Sequence, residues 1–185
     1  MKGKSLLIII GVIALVAVMF GGSYNKLAVL DENVDSAWAQ VENQLKRRAD
    51  LIPSLLETVK GYAAHEKEVI NSITEARAQY ASAGTPQEYA EAEEGFNNAV
   101  KSLNLIVENY PDLKASQNFS EFQTELAGTE NRIATERMRY NEMVKGYNTK
   151  IRRFPTNLIA GMFNFDKRQY FEINQQDAEV PKVNF

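Results

Sequence analysis

The chain has no cysteine and a single histidine, His65. That removes disulfides, thiol nucleophiles and any ordinary zinc site. Positive charge is not in excess either: the net charge is −3, which offers no electrostatic reason to bind nucleic acid. Proline and glycine are scarce, at 5 and 10 residues, so long stretches remain free of helix breakers. There is no Gly-rich phosphate loop, and no serine or threonine is flanked by a recognisable base.

What is present begins with an unbroken apolar run from Leu6 to Phe20. Lys2 and Lys4 precede it, and Gly21, Gly22, Ser23 and Tyr24 follow. As a helix, Ser5 to Ser23 spans about 28 Å, close to the hydrocarbon thickness of a bilayer. A cleaved signal peptide is the competing reading, but only a cut after Ser23, with Gly21 behind it, approaches a small-residue cleavage site. No cysteine follows, so a lipoprotein signal is excluded, and an uncleaved anchor is favoured. Tyr24 suits the interface. Lys2 and Lys4 on the near side, against Asp31, Glu32 and Asp35 on the far side, place the N-terminus in the cytoplasm and the remainder outside. In a bacterium with two membranes the remainder is periplasmic.

Beyond the anchor, about 160 residues suffice for one domain with a core. Alternate steps of four and three from Val34 give Trp38, Val41, Leu45, Arg48, Ile52, Leu55, Val59, Tyr62, Glu66, Val69, Ile73, Ala76 and Tyr80. Only Arg48 and Glu66 break the apolar ladder. Its persistence predicts coiled-coil-like packing along one helix, kinked or briefly interrupted at Pro53. A second helix starts at Thr85-Pro86-Gln87-Glu88, a capping box with proline at its first position, and carries Tyr89, Ala92, Phe96, Ala99, Leu103, Ile106 and Tyr110 up to Pro111. A third starts near Asn118, with Glu121 as capping partner. Its stripe is Phe119, Phe122, Leu126, Ile133, Tyr140, Met143, Tyr147, Ile151 and Phe154. Arg152 and Arg153 complement its dipole, and Pro155 stops it. A fourth element is expected over 157–164, and the tail is pinned by Tyr170, Phe171 and Phe185.

The expected fold is all-α: an elongated up-and-down bundle of three to four long helices with an N-terminal transmembrane helix. The segments are a short cytoplasmic N-terminus (1–5), the anchor (6–23), the bundle (28–165) and a tail packed on or beside it (166–185). Val59-Lys60-Gly61-Tyr62 recurs as Val144-Lys145-Gly146-Tyr147. A mid-helix glycine costs about 1 kcal/mol relative to alanine. The echo therefore predicts close backbone approach between parallel first and third helices. In that register Arg48 falls near Glu130 and Glu136, and Glu66 near Lys150, so at least one buried pair is expected.

Chemistry-bearing residues are sparse. His65-Glu66 begins like a zinc-protease motif, but Val69 stands where the second histidine belongs. Glu88, Glu91, Glu93 and Glu94 are the one carboxylate cluster that a divalent metal could use, and a solvated helix face is the preferred reading. Lys46-Arg47-Arg48 suits an acidic partner or anionic lipid, although it lies some 30 Å along the helix from the membrane end, and it too reads first as solvated. Trp38 reads as a core anchor. No catalytic, cofactor-binding or metal-ligating residue is assigned, and no cofactor is expected. The expected partners are the lipid bilayer, through residues 6–23, and a protein partner or a second copy of the chain.

Several segments together resemble one family. They are Tyr24-Asn25-Lys26-Leu27, Ala37-Trp38 with Gln40, and Gln44-Leu45-Lys46-Arg47-Arg48-Ala49-Asp50-Leu51-Ile52-Pro53, then Val59-Lys60-Gly61-Tyr62-Ala63 with His65-Glu66 and Ala76-Arg77. Tyr110-Pro111-Asp112-Leu113, Glu125-Leu126-Ala127-Gly128-Thr129-Glu130-Asn131-Arg132-Ile133, Arg139-Tyr140-Asn141, Tyr147-Asn148 and Phe154-Pro155 continue the pattern. The chain resembles the LemA family over nearly its whole length. The resemblance implies a bacterial membrane-anchored helical bundle with no established catalytic activity and no defined functional residues. A magnetosome protein of magnetotactic bacteria is similar, which implies roles in membrane organisation. Some relatives carry a cysteine near the end of the apolar run. Here Gly21-Gly22-Ser23 stands there, which favours a protein anchor over a lipid one.

Overall fold

The computed structural model describes residues 2–172. Every regular element among them is helical: α1 (Lys2–Ala49), α2 (Ile52–Tyr62), α3 (Lys67–Ser82), α4 (Pro86–Val107), α5 (Pro111–Lys114), α6 (Gln117–Arg152) and α7 (Thr156–Met162). The all-α expectation holds, but seven helices stand where three to four were expected. Among the described residues no helix is long and apolar enough to cross a membrane. Side chains at 2–6, 8, 12 and 15–17 lie outside the description, so the expected anchor at 6–23 falls partly outside it, as does Phe185 in the tail.

The ladder from Val34 to Tyr80 is buried nearly throughout, yet it does not follow one helix. The first break falls at Asp50 and Leu51, because Pro53 cannot donate to the preceding turn and instead occupies the first turn of α2. The second falls at Ala63–Glu66, where Ala63 leaves helical geometry with φ −134°. Apolar period and helix continuity are separate properties. The period survives both breaks because α2 and α3 each keep their own apolar stripe buried.

Two units divide the chain. The first combines Met1–Ala39 with Met138–Gln169. Along α1 and α6 in this unit, Trp38 meets the tilted Tyr140 ring at 5.2 Å, Asp31 accepts from Tyr147, and Leu27 shares a cluster with Ile151. Advance along one helix is retreat along the other, so α1 and α6 are antiparallel here, contrary to the parallel register drawn from the sequence echo. Gly61 and Gly146 are exposed, and a Cβ at either would meet nothing within 4 Å. The echo is therefore no packing motif. α7 confirms the fourth element and folds back on α1 through Ile159 and Ala160 against Leu27.

The second unit comprises Gln40–Arg137 and the chain from Tyr170. α3 and α4 form an αα-hairpin closed by the expected capping box: Thr85 Oγ1 accepts from Glu88 N at 3.2 Å, and Glu88 Oε2 accepts from Thr85 N at 3.0 Å. Gly95 marks the close approach of these helices, since a Cβ there would reach Gln79 Oε1 at 2.2 Å. Tyr89, Ala92, Phe96, Ala99 and Leu103 of α4 are buried as expected. Pro111 does not merely end α4; it opens α5. The cap of α6 is Ser116, whose Oγ accepts from Phe119 N at 3.2 Å, two residues earlier than the expected Asn118–Glu121 box. Phe171 is fully buried.

Candidate functional site

The most concentrated polar chemistry lies in the second unit, sealed between α1, α3 and α4. Arg48 reaches it because it occupies a core position of the α1 ladder. Its Nη1 donates to Glu93 Oε2 at 2.6 Å and its Nη2 to Asn97 Oδ1 at 3.0 Å. The guanidinium stacks over the Phe96 ring at 5.1 Å, and Tyr80 Oη donates to the other Glu93 oxygen. Arg48 is 3% exposed and Glu93 1%. The expected partners of Arg48, Glu130 and Glu136, are thus replaced by Glu93. Glu66 accepts from Tyr110 Oη at 2.7 Å rather than pairing with Lys150.

Burial pushes the Glu93 carboxyl above its ordinary range, while Arg48 and the Tyr80 hydrogen bond pull it part of the way back. Burial also lifts the Tyr80 phenol well above its usual value, and Glu93 adds to that. A raised carboxyl is common in catalytic acids. Here both carboxylate oxygens already accept hydrogen bonds and Glu93 is buried, so the arrangement acts as a structural clamp. Arg48 Nε and Gln44 Oε1 are buried without hydrogen-bond partners among the described residues.

The carboxylate cluster of α4 disperses. Glu88 caps its own helix and Glu91 accepts from Gln87 at 3.2 Å, whereas Glu93 points into the core and Glu94 is exposed. The solvated-face reading is correct for three of these residues and wrong for Glu93. Among the described residues no three His, Cys, Asp or Glu side chains converge as a metal site. His65 lies exposed between α2 and α3, Glu66 flanks α3 and Val69 is buried, so the zinc-motif fragment is not even on one helix. Within the basic triplet only Arg48 is buried. Lys46 pairs with Glu42 at 2.7 Å and Arg47 with Glu125 at 3.3 Å. An open depression of about 420 Å³ lies beside Glu42, Lys46, Asp50, Arg77, Tyr80 and Tyr89. Its two acids and two bases balance, and they select no ligand charge.

Periodicity contained the signal for Glu93. It stands four residues after Tyr89 and three before Phe96, squarely on the apolar face of α4.

The first unit has its own polar cluster, which sequence reasoning missed. Arg168 Nε donates to Asp31 Oδ1 at 2.9 Å and its Nη2 to Asp35 Oδ2 at 3.0 Å. The Asn148 amide grips the Arg168 backbone, donating to its O and accepting from its N, each at 2.9 Å. Asn148→Ala is expected to cost about 2 kcal/mol through these two lost bonds. Asn148→Asp should cost more, because a second carboxylate oxygen would then face the Arg168 carbonyl. Urea unfolding of the three proteins checks the order.

Burial, followed by the Asp31 charge, pushes the Tyr147 phenol up to about 12. The folded state therefore holds this proton more tightly than the unfolded chain. Its contribution is fully present below the ordinary value of 10.0 and is lost as pH rises to about 12. Tyr140 and Tyr80 are also raised, so the wild-type slope is composite. Tyr147→Phe should lose less stability than wild type across that interval, and equal slopes in paired urea melts would refute the assignment.

Comparison with known proteins completes the description. A family model described as the LemA family matches residues 37–185. Magnetosome protein MamQ 2 of Paramagnetospirillum magneticum is 25% identical over 190 residues, covering 89% of this chain and 70% of the relative. Protein LemA of Metamycoplasma hominis is 26% identical over 169 residues, covering 89% of this chain and 77% of the relative.

Proposed function

The chain belongs to the LemA family, and from that premise we propose that it is a non-enzymatic, membrane-tethered helical module. Residues 6–23 anchor it in the bacterial cell membrane as a single pass, with the N-terminus cytoplasmic and the remaining helices extracytoplasmic. It acts as an interaction or scaffold module, through a protein partner or a second copy of itself.

One observation carries this reading. Leu7, Ile9, Ile10, Ile13, Val18 and Met19 of α1 are each more than half exposed. At 100° per residue they point to every side of the helix, and a helix that is apolar all round belongs in an apolar medium. The two polar clusters support the non-enzymatic part, since both Glu93 oxygens and the Asn148 amide are already engaged by structural partners. Kinship with magnetosome proteins favours a second reading, an oligomer that organises a membrane. Finding the chain strictly monomeric in bilayers would remove that version.

Protease accessibility in intact spheroplasts tests the topology. Digestion of the helical units before lysis is the expected result. Protection until lysis would overturn the orientation, and release of intact chain by alkaline carbonate would overturn the anchor.

A further inference from the structure

Among the described residues, large exposed apolar side chains are distributed very unevenly. The second unit has Tyr62 and Leu105, whereas the first has the α1 run, Tyr24, Val29, Met138 and Met143, together with Phe154, Leu158, Met162 and Phe163 at and beside α7. Phe154 is 80% exposed and Met162 66%, an unusual exposure for residues that have a core beside them. Ile159 and Ala160 take the inner face of α7, against Leu27. Leu158 and Met162, one turn apart, lie away from it.

The position of α7 along α1 says what covers that outer face. Phe20, the last residue of the apolar run, packs on the same cluster as Leu27 and Ile159. Tyr24, between them, holds the Phe163 ring at 4.8 Å and the Phe165 ring at 5.7 Å. From Phe20 to Leu27 is about 10 Å of helix, comparable with the depth at which amphipathic segments sit in the headgroup layer. Lys150, Arg152, Arg153 and Lys167 flank the apolar residues, with Asp166 as the lone acid from 150 to 167. Aromatic and apolar side chains with cations close by in sequence suit the boundary of an anionic bilayer.

We propose that α7 and the preceding Phe154 form a membrane-contacting foot. Phe154, Leu158, Met162 and Phe163 enter the headgroup layer of the bilayer that α1 occupies, and Arg152 and Arg153 meet anionic lipid phosphates. This rests on the anchor reading, and it adds a second, interfacial contact that fixes how the first unit stands on the membrane.

The chain's lack of cysteine makes the test direct. Met162→Cys, Ile13→Cys and Leu105→Cys, each in the full chain, are labelled with an environment-sensitive fluorophore. They are reconstituted in vesicles of phosphatidylcholine and phosphatidylglycerol that carry nitroxide lipids at shallow or deep positions. The Met162 label is expected to lose about half or more of its emission to shallow nitroxides, at the depth of an interfacial segment. The Ile13 label should respond to deep nitroxides and the Leu105 label to neither. Arg152→Glu with Arg153→Glu should weaken the Met162 quenching in anionic vesicles. Quenching at Ile13 without quenching at Met162 would overturn the foot and leave the anchor standing. Quenching at Met162 alone would support the foot and overturn the anchor. A Met162 label shielded from aqueous iodide but untouched by lipid nitroxides would mean that protein covers this face, and would overturn the proposal.

Discussion

Glu93→Ala is expected to destabilise the second unit by about 3–5 kcal/mol, the cost of leaving a buried guanidinium without its counter-charge. Arg48 cannot escape to water, being 3% exposed and held over the Phe96 ring. Tyr80 would lose its acceptor in the same step. Glu93→Gln keeps two heavy atoms in place for Arg48 and Tyr80 and should cost less. Arg48→Met combined with Glu93→Met should restore most of the loss, because apolar residues of similar volume often replace a buried pair without penalty. The raised Glu93 carboxyl argues the same way. Burial exceeds what Arg48 and Tyr80 return, so the folded state binds this proton more tightly than the unfolded chain does. Its contribution to stability therefore falls as pH rises from the ordinary carboxylate range to the folded value, the opposite of a surface ion pair. Urea unfolding of the single and double variants decides the matter. A Glu93→Ala cost below about 1 kcal/mol, the scale of an exposed pair, would mean that water reaches the clamp.

Phe96→Ala carries a comparable expected loss, about 3–5 kcal/mol for a buried ring with no exposure of its own. The ring meets Tyr80 edge-on at 6.1 Å and lies under the Arg48 guanidinium. Truncating it removes apolar burial and also the surface on which the charge rests. Phe96 and Glu93 share both Arg48 and Tyr80, so their effects should not add. The double variant should fall short of the summed single losses by about 0.5–3 kcal/mol. Strict additivity in a double-mutant cycle would show that ring and carboxylate act independently. Phe96→Leu, which keeps apolar volume but no π face, separates cation–π stacking from burial.

Much of this architecture was legible before any coordinates. The capping box at Thr85–Glu88, the buried face of α4 and the helix at Thr156–Met162 all depend on neighbours within a few residues, and local sequence specifies such features well. The ladder from Val34 to Tyr80 identified core residues correctly, with Tyr62 the exposed exception, even though the helix carrying it breaks twice. Burial follows apolar pattern, whereas continuity follows backbone hydrogen bonding, and Pro53 and the Ala63–Glu66 link interrupt only the latter. The Gly61 and Gly146 echo misled because a four-residue identity has no energetic content until something packs against it.

By itself, then, the sequence determined the helical class, most of the core, the apolar run of α1 and the family. Those properties are set by composition, by period and by contacts close along the chain. Tertiary structure alone decided the antiparallel pairing of α1 with α6 in the first unit. It also chose Glu93 over Glu130 and Glu136 as the partner of Arg48, and seated Arg168 on Asp31, Asp35 and Asn148. Those choices join residues 20 to 137 positions apart. At such separations many pairings are chemically equivalent, and only the simultaneous packing of all the helices selects one.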